Sequence, residues 1–112
     1  MNAVEFIKQY GWSKSSVIVF ESIGHGANTF YDTHDELYYG QINDIRVSVV
    51  DIKQYVDAWE LVEKHRGLKE AKKDIIDAKY LGMNDMIFGT SLTELKQAIT
   101  LVEEVESLKE VS

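Results

Sequence analysis

The sequence predicts an α+β protein in which helical hairpins pack with a small antiparallel β-meander, in the order α-α-β-β-β-α-α-(β)-α, within a single domain spanning residues 1–112. Three observations lead there. A helix-like run, a glycine and a bulky apolar residue occur twice, as Val4–Ser15 around Gly11-Trp12 and as Trp59–Ala71 around Gly67-Leu68. A glycine in that place supplies the left-handed residue that ends a helix, and the apolar residue beyond it packs back on the last turn. Between the two copies, residues 29–50 are rich in Tyr, Phe, Val and Ile, punctuated by polar turn residues, which is strand and hairpin composition.

Taken in order, Val4–Tyr10 reads as a short helix and Trp12–Ile23 as a second, opened by Ser13 as N-cap. The run Val17-Ile18-Val19-Phe20 is β-branched and aromatic and suits a strand on propensity alone, so residues 13–23 are open to either reading. Strands follow at Thr29–Tyr31, Glu36–Tyr39 and Asp44–Val50. Asp51 stands where an N-cap would, and Val56, Trp59, Val62 and Tyr55 lie on one side of a helix that Gly67 ends. Leu68–Tyr80 forms another helix, with Leu68, Ala71, Ile75 and Ala78 on one stripe and Lys69, Lys72, Lys73, Asp77 and Lys79 on the wet side. Met86–Phe88 is a short edge strand. Ser91 and Glu94 have capping-box spacing, so the last helix begins near Leu92 and turns Leu95, Ile99, Val102 and Val105 inward. Phe6, Trp12, Trp59, Val62, Leu68, Ile75 and Ile99 are the expected core.

Composition narrows the function classes. Apolar residues at 45% with 28% charged suit a globular chain and exclude wholesale disorder. Cysteine is absent, which removes disulfides, thiolate metal sites and cysteine nucleophiles together. No secretory leader or bilayer-length apolar run is legible, so a cytoplasmic location is expected. Nineteen acids against twelve bases leave a net charge of -7, which opposes generic binding to phosphate backbones. The excess sits at the ends: seven acids against three bases over residues 1–52 and five against two over 94–112, with parity between.

No residue pattern supports catalysis, and no enzyme, cofactor or metal is expected. His25, His34, Asp35 and Glu36 are the one cluster with ligand chemistry, but their spacing matches no zinc motif. His65 is explained by the favourable interaction of a cation with the last carbonyls of a helix. The serines lack a Gly-x-Ser-x-Gly elbow, and Gly24-His25-Gly26 is too short for a phosphate loop. Residues 5–20 resemble the helix, glycine turn and recognition-helix start of helix-turn-helix proteins, giving the alternative of a small DNA-associated regulator that reads with Ser13–Phe20. Yet Ile18-Val19-Phe20-Glu21 offers apolar groups and a carboxylate where base and phosphate contacts belong.

The favoured reading is a protein-binding surface. Phe30, Tyr31, Tyr38 and Tyr39 crowd the strands, and alternation places Leu37 and Tyr39 on one face and Tyr38 on the other. Tyrosines beside carboxylates have the composition of an interface for a basic partner. The candidate partner-binding residues are Asp32, Asp35, Glu36, Tyr38, Tyr39 and Asp44, joined by Glu103, Glu104 and Glu106 of the acidic last helix.

With the strings Val4-Glu5-Phe6-Ile7-Lys8, Gly11-Trp12, Asp51-Ile52-Lys53-Gln54, Leu61-Val62-Glu63, Gly67-Leu68, Ala71-Lys72 and Leu95-Lys96-Gln97-Ala98-Ile99 assembled, the chain resembles small acidic accessory proteins from the early regions of lambdoid phages and prophages. That family has no settled activity. The sequence departs from its pattern at Arg66, where a second glycine is common, and at Ser15-Ser16-Val17, where stronger helix formers are usual. What the resemblance implies is a non-enzymatic inhibitor that binds a host defence or nucleic-acid-handling protein with a basic surface, anti-CRISPR inhibitors being one such class. It would act in the bacterial cytoplasm, with no membrane and no direct nucleic-acid contact. Self-association as an assembly protein is a third reading.

Overall fold

The computed structural model describes residues 1–25, 29–80, 86–87 and 90–111, without the side chains of 86, 87, 90, 91 and 107–111. Its elements are α1 (Ala3–Glu21), β1 (Phe30–Asp32), β2 (Tyr38–Tyr39), β3 (Arg46–Ser48), α2 (Val49–Lys64), α3 (Leu68–Tyr80), β4 (Met86–Ile87), β5 (Thr90–Ser91) and α4 (Leu92–Val111). The α+β class holds, while the order differs from expectation at both ends. They form two compact units, residues 1–56 and 57–111, which divide within α2.

In the first unit, Asn2 caps α1 by accepting from the Glu5 N–H at 2.8 Å. The two helices expected before and after Gly11 are one element with a break at that residue, whose φ of 88° and ψ of 169° are not helical. This is the mirror-extended region rather than the expected left-handed helical one, and it is open essentially to glycine alone. A Cβ there would meet nothing within 4 Å, so the backbone carries the whole cost of a side chain. Gly11→Ala is therefore expected to lose about 1–3 kcal/mol, measured as a lower melting temperature by circular dichroism.

Beyond the break, residues 12–21 are helical despite the strand propensity of Val17–Phe20. Packing decides this: Ile18 is 2% exposed, and the inward Ser15 hydroxyl donates to the Gly11 carbonyl at 2.8 Å. A polar residue is thereby buried with its hydrogen bond made.

The three strands are antiparallel neighbours in the order β2-β1-β3. This corrects the expected meander, which would have put β2 in the centre. The segment after β2 instead carries the chain past β1 to its other edge. Tyr31 pairs with Tyr38 on one side and Val47 on the other, and these three share the inward face. Phe6, with no exposed surface, stacks on Tyr10 at 4.6 Å and meets Tyr31 edge-on at 5.8 Å.

Val49 and Val50, expected to end the third strand, begin α2. Ser48 rather than Asp51 is its N-cap, accepting from the Asp51 N–H at 3.4 Å, which puts the Asp51 carboxylate in the first turn, where the helix dipole favours it. Ile52 and Val56 are buried below.

In the second unit, α2 ends at a two-bond turn: the Arg66 N–H donates to Glu63 O at 2.9 Å and the Gly67 N–H to Val62 O at 3.0 Å. In that motif the residue after the C-cap is left-handed and is usually glycine. Here it is Arg66, with φ of 70°, and Gly67 follows at 101°. The expected glycine stop thus lies one residue past the strained position. Arg66→Gly is expected to stabilise the protein by about 0.5–1 kcal/mol, since a side chain costs energy in that conformation. The ion pair it would lose, to Glu70 at 3.8 Å, is exposed and worth little. A melting temperature that fails to rise would refute the assignment of strain.

Ala71, Ala78, Leu95, Ile99, Val102 and Val105 are buried as their helical spacing predicts, and Leu92 is buried with them. Of the expected core, Trp12, Trp59, Leu68 and Ile75 are only half-buried. The edge strand at 86–87 pairs with an unexpected partner, β5, while Phe88 and the turn at 81–85 lie outside the described residues. None of the described helices is long and apolar enough to cross a membrane.

Candidate protein-binding surface

The candidate surface is built on the turn between β1 and β2 and the segment between β2 and β3. On the outward face of the sheet, Asp32 pairs in register with Arg46. The Arg46 Nε–H donates to the Asp32 carboxylate at 2.9 Å, and the same carboxylate accepts the His34 and Asp35 N–H groups at 2.9 and 3.2 Å. Asp32 is only 3% exposed. Its carboxyl is held below the usual range, chiefly by the Arg46 hydrogen bond; burial opposes this, and the two backbone donors reinforce it. Asp32 therefore closes the turn from within and presents no carboxylate for a partner.

Arg46 also reaches across β1 to lie 3.7 Å above the Tyr39 ring, a cation–π contact, and donates to Gln41 O at 2.9 Å. The Tyr39 hydroxyl donates to Asp35, and that bond is the main cause of its raised pKa. The other oxygen of Asp35 accepts the Leu37 N–H at 2.9 Å. Tyr38, on the inward side, donates to Ile18 O at 3.2 Å and stacks on His25 at 4.9 Å. Its hydroxyl pKa is raised by burial. Of the expected tyrosines and acids, then, most are engaged in holding the loops.

What faces solvent is different in kind. Glu36, in the left-handed region at φ of 61°, is exposed and pairs with Lys14 of α1 at 3.1 Å. Asp35 and Asp44 are exposed. Among them stand Leu37, Ile42 and Ile45, with 57%, 64% and 42% of their surface open. The two loops are joined side by side, because Thr33 donates both its N–H, at 3.1 Å, and its hydroxyl, at 2.9 Å, to the Ile45 carbonyl. The result is a set of exposed apolar side chains interspersed with carboxylates.

Sequence reasoning missed these three aliphatic residues, since a strand pattern assigns them inward or leaves them in a turn. Their only sequence signal is an apolar residue beside turn formers, as in Gln41-Ile42-Asn43-Asp44-Ile45.

The histidine cluster is not assembled: His25 stacks on Tyr38, His34 is exposed, and Asp35 and Glu36 bond elsewhere. Among the described residues no group of three or more His, Cys, Asp or Glu is placed to hold a metal.

In the second unit, Glu103 pairs with Lys72 at 3.2 Å across α3 and α4, Glu104 is exposed and Glu106 half-buried. His65, directly after the end of α2, is buried, its Nδ1 2.9 Å from the Asp74 carboxylate. The pair explains why an aspartate stands on the buried stripe of α3, since a desolvated carboxylate needs a partner. Comparison of the chain with protein-family models, with curated proteins and with solved structures finds no match.

Proposed function

We propose that this protein acts by stoichiometric binding to a basic, nucleic-acid-handling partner, and that, as its resemblance to phage accessory proteins implies, it inhibits a host defence system in the bacterial cytoplasm. The observation that carries this is the juxtaposition of exposed Leu37, Ile42 and Ile45 with Asp35, Glu36 and Asp44 on two tethered loops. Apolar side chains interspersed with charge have the anatomy of an interface, and the carboxylates select a partner of opposite sign and speed the encounter.

The DNA-reading alternative has less support. On residues 13–21 the exposed side chains are Ser13, Val17, Phe20 and Glu21, and the one cation of that stretch, Lys14, contacts Glu36. Duplex binding needs cations facing the backbone.

The test is capture of a tagged protein from an enteric host with native defence systems. One dominant protein at equal stoichiometry is expected, and its recovery should fall at least about tenfold with Glu36→Lys and Asp44→Lys together, or in high salt. Recovery of nucleic acid alone, or of a partner indifferent to both charge reversal and salt, would overturn the proposal.

A further inference from the structure

The first unit carries a second stretch of uncovered apolar side chains, away from the two loops in sequence. On the C-terminal half of α1 and just beyond it, Val17, Phe20 and Ile23 are 50%, 74% and 76% exposed, and Val50 in the first turn of α2 is 50% exposed. Ile23 and Val50 help to line an open groove of about 290 Å³, together with Val19, Ser22, Val49 and Lys53, and Phe20 stands next to Val19 of that lining in α1.

Two features define what fits. The lining comes from the end of α1, the turn after it and the first turn of α2, none of which is a strand, so an added strand would find no ladder there to join. A helix needs none. It lays an apolar stripe into such a groove by side-chain packing alone. The second feature is charge. Exposed Glu21 and Asp51 flank the apolar residues on their respective helices, and the chain as a whole is at -7. Lys53, the one cation of the lining, has an interaction of its own within the chain. A second copy of this protein would set the same carboxylates against each other across a two-fold axis, which is repulsive.

We propose that this groove docks an amphipathic helix of the partner whose apolar stripe is bordered by Lys or Arg. The inference rests on the protein-binding reading above and adds a second contact surface with its own chemistry.

The probe is a fluorescein-labelled synthetic helix with leucines on one face and lysines on the other, titrated with the intact protein and followed by anisotropy. A glutamate-bearing peptide with the same leucine face is the comparison. Binding of the lysine peptide is expected, weaker in high salt, and weakened about tenfold or more by Phe20→Ser combined with Ile23→Ser. Both residues are over seven-tenths exposed, so an unchanged melting curve should confirm that the variant folds. Equal binding of the glutamate peptide would overturn the charge assignment, and indifference to the double serine variant would overturn the groove. A dimer in sedimentation that the same variant dissolves would show a second copy to be the occupant and refute the proposal. Loss of the loop-surface reading alone, through partner capture indifferent to charge reversal, would leave the peptide result standing, so the two failures are distinguishable.

Discussion

Phe6→Ala is expected to destabilise the protein by about 3–5 kcal/mol, a large share of the 5–15 kcal/mol typical of a folded domain. Phe6 has no exposed surface, and its ring joins α1 to the sheet through Tyr31 while stacking on Tyr10 one turn further along the helix. Alanine removes the ring and leaves a cavity that a helix capped at Asn2 and a sheet paired on both sides of β1 have little freedom to fill. Urea unfolding followed by tryptophan fluorescence and circular dichroism measures the loss. A cost below about 1 kcal/mol would mean that the site collapses freely and that Phe6 does not anchor this unit.

Asp32→Ala should lower the melting temperature by about 10 °C or more, because it strips hydrogen-bond acceptors from three donors at once. Arg46, whose side chain is 17% exposed, and the His34 and Asp35 N–H groups would all lose their carboxylate. The gentler Asp32→Asn isolates the charge. Unfolded, an aspartate titrates near pH 3.9; folded, Asp32 titrates lower, chiefly because Arg46 donates to the ionised form. A depressed native pKa means that the ionised carboxylate stabilises the fold fully above the unfolded value, and that this contribution disappears as pH falls through the native one. Wild-type stability should therefore drop more steeply between about pH 5 and pH 2 than that of Asp32→Asn. Parallel slopes would show that Asp32 does not titrate differently on folding. Because the same carboxylate holds the turn that presents Glu36 and Leu37, either substitution should also weaken the partner binding we propose.

The acids singled out for partner binding occupy environments that the sequence does not tell apart. Asp32, Asp35 and Glu36 read alike in the chain, as three carboxylates of one turn. Arg46 is fourteen residues beyond Asp32, and only the register of β1 with β3 places its guanidinium against that carboxylate and over the Tyr39 ring. The pairing buries one acid and ties a second to a tyrosine. It leaves the third at the surface beside Lys14.

The sequence by itself determined the features that depend on neighbours along the chain: the α+β class, the glycine-marked break and turn at Gly11 and Gly67, the start of the last helix at Leu92, and the periodic burial of Leu95, Ile99, Val102 and Val105. These follow from backbone conformation and from a 3.6-residue period, both local in origin. Tertiary structure decided the rest. It made Val17–Phe20 a helix, because burying Ile18 outweighs β-propensity, and it moved β1 to the centre of the sheet. It turned Val49 and Val50 into helix once Ser48 supplied the cap. It also set His65 against Asp74, and brought Thr33 to Ile45 so that Leu37, Ile42 and Ile45 stand in solvent among carboxylates. Apart from the Ser48 cap, which is local, these rest on contacts between residues distant in the chain, which outweigh the fraction of a kcal/mol by which local propensities differ.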